Sequence, residues 1–439
     1  MPTSATDVDQ IPHLPPAVSP IRPDPEPATG PAAGRGGAPS AAPFTARDSH
    51  AMIELILRRR DELVEVLTGI ATRHAAADEL NRSIATLAGA QWEVERNRPR
   101  TVDELAVFLP SNNVFYSYVL FAVVPSLYCR KVLVRPSSRS TEVSRALHRI
   151  LTTDPATAGL LDVEFLEVSQ RSFLRRCAAA DVVVFNGRPE NAEELAARLP
   201  RSSMLLAFGS GPNPVVVGPD AALRTVVEDL LRVRMYNSGQ DCLCPDLVLA
   251  DERIADDLVE NLRDGVAGLR VGARSGHDTD VGPLVYPDAV EQIERFLAAH
   301  RDHVVAGGRV DRATGLVEPT VLDMPWDPRF HPPEFFGPVL CVMRYRHPDD
   351  VGRWLNSPTE LARGMYVSVY GEEALDTARI GSSVVTRDCM TLDVECGNQP
   401  LGGFGHRAGH VRVDGVPVAR PLLLSAELGA RTACGTGRR

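Results

Sequence analysis

Val182-Val-Val-Phe-Asn-Gly-Arg-Pro-Glu-Asn-Ala-Glu-Glu-Leu-Ala-Ala-Arg-Leu199 reads as one strand, one turn and the start of one amphipathic helix. Val182 to Phe185 is a short, unbroken apolar run, which suits a strand buried on both faces. The same reading repeats on either side of it. Ala106-Val-Phe-Leu109, Val132-Leu-Val134, Val163-Glu-Phe-Leu166 and Met204-Leu-Leu-Ala207 are further buried strands, and 140–152 is a further amphipathic helix. Strand and helix in alternation predict a parallel sheet covered by helices on both faces. A second alternating block runs from near Val215 to about residue 412. The expected fold is therefore α/β.

The chain has 439 residues, enough for roughly two or three domains at about 150 residues each. A chain this long buries a core that needs neither disulfides nor a structural metal. Its net charge of −10 disfavours nonspecific attraction to nucleic acid or to an anionic membrane surface. The longest apolar run, Val114 to Leu127, contains Pro125 and is shorter than the ~20 residues of a membrane span. Eight cysteines without regular spacing do not suggest a secreted disulfide scaffold. With no basic start followed by an apolar core at the N-terminus, a cytoplasmic protein is expected. Residues 1–47 hold 11 of the 35 prolines and almost no large apolar side chains, and are expected to be a disordered tail. From Asp48 the pattern turns helical, with Ile53, Leu55, Ile56, Leu63, Val66 and Leu67 on one stripe.

Tyr236-Asn-Ser-Gly-Gln-Asp-Cys-Leu-Cys-Pro245 is the segment richest in chemistry. Its Cys242 and Cys244 lack the further close ligands that a four-coordinate zinc site needs, and CxC is not the redox CxxC spacing. Taken alone, the pair reads as buried structural cysteines. His406 and His410 have i,i+4 spacing but lie in a Gly-rich loop, so no metal site is expected.

Four ordered motifs extend the reading. Asn237-Ser-Gly-Gln-Asp-Cys242 resembles the nucleophile motif of the aldehyde dehydrogenase superfamily. Pro333-Glu-Phe-Phe-Gly-Pro-Val339 resembles that family's Glu-x-Phe-Gly-Pro element. Asn356 with Leu361-Ala-Arg-Gly364, and Pro400-Leu-Gly-Gly-Phe404, resemble two later landmarks in the right order. Upstream, Phe108-Leu-Pro-Ser-Asn112 matches a strand-end loop that carries an asparagine, and Arg135-Pro136 stands where the family has Lys-Pro.

The resemblance implies two Rossmann-like parallel-sheet domains. The expected boundaries are a cofactor-binding domain over 48–211, a catalytic domain over 212–412, and an oligomerisation strand with tail over 413–439. It implies a nicotinamide cofactor, NADP or NAD, and a homodimer or higher homo-oligomer paired through Ala419-Arg-Pro-Leu-Leu-Leu-Ser-Ala426. Cys242 is then the nucleophile, giving a tetrahedral alkoxide held by the Asn112 side chain and the Cys242 backbone N–H. A thiolate there is expected to be the first cysteine to react with iodoacetamide. Arg135, Ser138, Gly187, Glu334 and Phe336 fall on cofactor-binding positions. Gly187 matches the first glycine of a phosphate-binding turn before a helix, and Ala192 replaces the second.

Three departures matter. Aligning Gly209-Ser-Gly-Pro-Asn-Pro214 on the family's Glu-Leu-Gly-Gly-Lys-x-Pro puts Phe208 where the water-activating glutamate belongs. Phenylalanine accepts no proton, so hydrolysis of the thioester is in doubt. Enzymes that pass the acyl group to coenzyme A or a phosphopantetheine thiol, or reduce such thioesters, lack this glutamate. The expected substrate is a small aldehyde or an acyl thioester. An ordinary dehydrogenase with a substitute base, and an inactive scaffold protein, stay open. Secondly, Arg135 in place of lysine (Lys131 is the chain's one lysine) and Ser138 in place of a ribose-binding carboxylate, followed by Arg139, favour a 2′-phosphate. Thirdly, the stretch between tail and Asn112 is short for the family.

Overall fold

A computed structural model describes residues 44–434. The tail expected over 1–47 lies outside the described residues up to 43, and its last residues are not tail. Thr45 precedes a helix, and its N–H donates to the Asp48 carboxylate at 2.8 Å. Three helices follow, α1 (Ala46–Arg58), α2 (Arg60–Leu67) and α3 (Arg73–Asn97). Leu55, Ile56, Leu63 and Leu67 are fully buried, as the stripe requires.

Five strands then form a parallel sheet: β1 (Val102–Phe108), β2 (Cys129–Arg135), β3 (Val163–Phe165), β4 (Val182–Asn186) and β5 (Met204–Phe208). Their order is β3-β2-β1-β4-β5. Between them run α4 (Val114–Tyr118), α5 (Thr141–Thr153), α6 (Gln170–Cys177) and α7 (Pro189–Arg198). The apolar runs alternate between two cores. Val182 and Val184 face the core shared with α1 to α3, whereas Val183 and Phe185 face the one shared with α6 and α7. Both faces are dry, which is why these strands are continuously apolar. Phe108 sits beside Arg135 and Phe185, and Asn186 beside Phe208, so the strands end at one edge. The order reverses at β1, with β2 on one side and β4 on the other. Such a reversal opens a crevice outside the C-terminal strand ends.

The second block is a seven-stranded sheet. Its strands are β6 (Val215–Val217), β7 (Leu247–Asp251), β8 (Val304–Ala306), β11 (Thr320–Met324), β12 (Val339–Tyr345), β13 (Tyr366–Tyr370) and β14 (Val384–Arg387), in the order β14-β13-β6-β7-β12-β11-β8. A small hairpin of β9 (Val310–Asp311) and β10 (Leu316–Val317) stands apart. All pairs in the large sheet are parallel except β8 on β11. Here too the two faces bury alternate residues, Val216, Leu247 and Leu249 on one side and Val215, Val217 and Val248 on the other.

The C-terminal expectation is corrected in two ways. First, β15 (Gly409–Val413) pairs antiparallel with β5, and β16 (Val416–Val418) with β15, so residues 409–418 complete the first sheet. Second, Ala419–Ala426 is not an oligomerisation strand. Leu422 makes one isolated bridge to Leu401, and a helix over Leu424–Cys434 follows. Leu422, Leu424 and Leu428 are buried in the core of α1 to α3. The helix seats so closely on the end of α3 that a Cβ on Gly429 would meet the Asn97 carbonyl at 1.9 Å. The apolar run is thus covered by its own chain, and the argument from it to a partner falls. The outermost strand of this sheet, β16, is short and contains Pro417, a combination that blunts an exposed edge.

Val114–Leu127 folds as α4, a π-helical turn (Val119–Val123) and a 3₁₀ turn (Val124–Leu127), nearly all buried. Among the described residues no helix is long and apolar enough to cross a membrane.

Leu428→Ala tests the corrected C-terminus. It is expected to lower the unfolding free energy by roughly 2–5 kcal/mol in urea titrations. Sedimentation should show an unchanged assembly state, because the side chain packs within the chain. A variant that dissociates without losing stability would restore the exchanged strand.

Candidate active site

A cleft of about 720 Å³ opens between the C-terminal ends of the first sheet and the loops of the second. Cys242, Asn112, Arg135, Ser138, Gly187, Glu334 and Phe336 all line it, together with Phe208. The sequence reading therefore selected residues that fold into one place.

The cysteine loop is built around a sharp turn. After α8 (Leu223–Arg234), Asn237, Ser238 and Gly239 take left-handed conformations in succession, at φ 46°, 60° and 76°. Left-handed backbone is costly for non-glycine residues, so neighbours must hold it. Asn237 Oδ1 accepts the Thr72 N–H at 3.2 Å, and Ser238 Oγ accepts the Gly282 N–H at 2.9 Å. Gln240 Oε1 accepts the Val285 N–H at 2.7 Å. Gly239 must be glycine on a second count, since a Cβ would meet the Gly337 carbonyl at 2.4 Å. The anchor is Arg234, which is buried. It donates to Asp246 Oδ1 at 2.7 Å, to the Pro245 carbonyl at 2.9 Å, and to the carbonyls of Gly239 and Gly337. Asp246 Oδ1 also accepts the Phe335 N–H at 3.1 Å. One buried ion pair thus joins the cysteine loop to the loop carrying Glu334 and Phe336. Asn213 adds a third tie, donating to the Cys242 carbonyl at 2.7 Å.

Cys242 is half-buried at the cleft wall, whereas Cys244 turns into the core and donates to the Val233 carbonyl at 3.0 Å. Burial pushes the Cys242 thiol well above its ordinary pKa, and Asp241, Cys244, Glu395 and Glu334 push it further. That environment favours a neutral thiol in the free protein over the expected thiolate.

Two asparagines, not one, flank the cysteine. Asn112 Oδ1 accepts from the Tyr286 hydroxyl at 3.0 Å, which leaves Nδ2 as the amide's donating end. Asn113, left-handed at φ 48°, donates through Nδ2 to Asp241 at 2.5 Å. Phe208 ends β5 with its ring 5.1 Å from that of Phe121, and presents no proton acceptor. Glu334 accepts from the Ser210 hydroxyl, and burial holds its carboxyl above the usual range. Phe336, at φ 47°, sets its ring edge-on to Tyr286 at 5.7 Å.

At the other end, Arg135 is half-buried and donates to the Val168 carbonyl at 3.1 Å, while Ser138 and Arg139 are exposed. Arg139 and Arg188 both pair with Asp288, Arg139 at 2.9 Å, so one carboxylate bridges the cleft mouth. Gly187 approaches its neighbours closely: its N–H donates to the Phe208 carbonyl at 3.0 Å, and a Cβ would meet the Phe185 ring at 3.0 Å. The N-terminus of α7 follows at once, and its macrodipole favours an anion. Glu190 in its first turn opposes that, and pairs with Arg407.

A family model described as the aldehyde dehydrogenase family matches residues 51–406. The chain belongs to that family. Among curated aldehyde dehydrogenase relatives, a lactaldehyde dehydrogenase of Methanococcus aeolicus is 25% identical over 51% of this chain and 48% of its own. An NADP-dependent succinate-semialdehyde dehydrogenase of Escherichia coli is 27% identical over 46% of this chain and 42% of its own. The chain thus spans about half the length of the curated relatives it matches. Two solved structures share the fold. A glyceraldehyde-3-phosphate dehydrogenase of Methanocaldococcus jannaschii, complexed with NADP, has a TM-score of 0.73 at 21% identity, covering 84% of this chain and 86% of its own. A succinic semialdehyde dehydrogenase of Streptococcus pyogenes, with NADP⁺, has 0.75 at 16% identity, covering 88% and 87%.

Family motifs did not point to Asn113, Ser210, Asn213, Arg234, Asp241 or Tyr286. Asn213 and Arg234 stand inside or beside quoted motifs, and a polar residue next to a catalytic turn was the available signal. Tyr286 carried none.

Two measurements test the site in this family member. Because the thiol's pKa is raised, iodoacetamide at neutral pH should modify exposed Cys396 before Cys242, as read by peptide mass spectrometry. The Cys242 rate should keep climbing about tenfold per pH unit past pH 9. A rate already level below pH 8 would contradict the geometry. Asp246→Asn strands the Arg234 charge in the core and should cost about 3–5 kcal/mol in urea unfolding.

Proposed function

We propose that this protein is an NAD(P)-dependent oxidoreductase that interconverts an aldehyde and an acyl thioester through Cys242. The observation that carries the reading is that Cys242, Asn112 and Phe208 line one cleft. The cleft also fits a dinucleotide. It lies at the reversal point of the sheet, and Arg135, Arg139, Arg188 and the start of α7 offer donors to phosphates. Glu334 would accept from a ribose hydroxyl, and Phe336 would pack beside it.

Cys242 gives its proton to water in the open cleft, and its sulfur attacks the aldehyde carbon as the carbonyl electron pair moves onto oxygen. The alkoxide is held by Asn112 Nδ2 and the Cys242 N–H. An oxidised nicotinamide dinucleotide, which Arg135, Glu334 and the start of α7 would hold, would accept the hydride when bound. The product is a thioester on Cys242. Water beside the Phe208 ring lacks the general base that typically contributes about 10²–10⁴-fold. A thiol of coenzyme A or a phosphopantetheine takes the acyl group instead, the S–C bond to Cys242 breaks, and its proton returns to the sulfur. The reverse sequence reduces an acyl thioester to an aldehyde.

A second reading, hydrolysis to the free acid, is favoured by one observation. Glu395 lines the same cleft and acts on the Cys242 thiol. Mixing enzyme, NAD(P)⁺ and a panel of aldehydes, with and without coenzyme A, separates the two. One burst of NAD(P)H per site without thiol, and turnover with it, is expected. Steady turnover to free acid without thiol would establish hydrolysis.

Exposed Ser138 beside Arg139 leaves room for a 2′-phosphate, and the Escherichia coli relative is named for NADP. NADPH is therefore expected to quench tryptophan fluorescence at lower concentration than NADH. Ser138→Glu should reverse the order.

A further inference from the structure

We propose that the cleft wall formed by α3, the turn after α4 and residues 395–401 selects an aldehyde with a cationic far end and rejects a terminal carboxylate. The inference rests on the reading of Cys242 as the acylated nucleophile. Three charged side chains line this wall, Arg82, Asp241 and Glu395. Arg82 is not free to receive an anion. Its Nε donates to Asp78 at 2.8 Å and its NH1 to Glu395 at 3.0 Å, and its plane lies over the Tyr236 ring at 5.5 Å. Asp241 is held by neutral donors, the Asn113 amide and the Leu243 N–H at 2.8 Å. Glu395 has one further partner, the Tyr116 hydroxyl at 2.5 Å.

Against the two lining carboxylates, Asp241 and Glu395, stands one guanidinium that Asp78 outside the cleft already shares, so the wall carries surplus negative charge. That surplus is costly because it is dry: the Glu395 side chain is 7% exposed and Asp241 is 4% exposed. An arriving cation relieves the cost, and an arriving carboxylate adds to it. The remaining lining suits the same ligand. Phe121, Phe208 and Tyr116 offer aromatic rings to a cation, and Leu120, Leu243 and Leu401 offer apolar contact to a methylene chain. Succinate semialdehyde, in the names of two proteins compared above, ends in a carboxylate. By this charge count it is a poor substrate here.

Two measurements test the wall. In the first, aldehydes of equal length ending in a quaternary ammonium, a methyl or a carboxylate are compared by NAD(P)H formation with coenzyme A present. The ammonium should exceed the methyl in kcat/KM by about tenfold, and the carboxylate should fall below it by a similar factor. Glu395→Gln should collapse the ammonium-to-methyl ratio, a readout that a general loss of folded protein does not move. The second measurement needs no turnover. Simple alkylammonium ions and alkanoates of equal length are tested for protecting Cys242 from iodoacetamide at mildly alkaline pH. Protection by the ammonium at about tenfold lower concentration is expected. Equal or reversed protection, or a preferred carboxylate aldehyde, overturns the inference. Absence of hydride transfer with every aldehyde, while the order of protection holds, instead overturns the reading of Cys242 and leaves the wall's selectivity supported.

Discussion

Arg234 is the group on which the site's geometry depends. Burial obliges its guanidinium to seek acceptors, and although Nε has none, both terminal nitrogens find theirs on two loops that are distant in sequence. Satisfying that demand fixes the backbone at Gly239 and Pro245 on one side and at Gly337 on the other. Cys242 lies between the first two, and Glu334 precedes the third. The separation of Cys242 and Glu334 is thus set by one ion pair in the core rather than by the flexible reach of either loop.

The sheets were legible because both faces of each are buried. Uninterrupted runs such as Val182–Phe185 and Val215–Val217 have few alternatives once each residue must pack into one of two dry cores. The C-terminus was not legible by the same logic. Leu422–Leu424 has the composition of a strand, but its environment is the face of α1 to α3, and no local pattern records what covers what. Residues 409–418 mislead similarly: they follow the catalytic sheet in the chain and pair with the other one.

In the site, motif positions were found and their electrostatics were not. Cys242, Asn112 and Glu334 sit in short signatures whose residue types follow from the chemistry. Arg82, Tyr286 and Glu395 come from three remote segments, each an ordinary charged or aromatic residue in its own neighbourhood. Their meaning arises when α3, the helix over Pro287–Ala299 and the loop before Pro400 close on one cleft. The raised pKa values at Cys242 and Glu334 are likewise products of assembly, since burial is their first cause.

Pairing of β15 with β5 has a bearing on how the chain is made. While a ribosome extends the chain, β5 emerges early, and the strand that closes its open edge emerges only after the entire second sheet. Throughout that interval the nascent first sheet carries a bare ladder of amides and carbonyls. Such sequence-distant closure makes the last step of assembly slow and exposes the half-made sheet to mispairing. A complete first sheet is correspondingly a late property of the polypeptide, acquired when residues 409–418 double back to finish what was begun first.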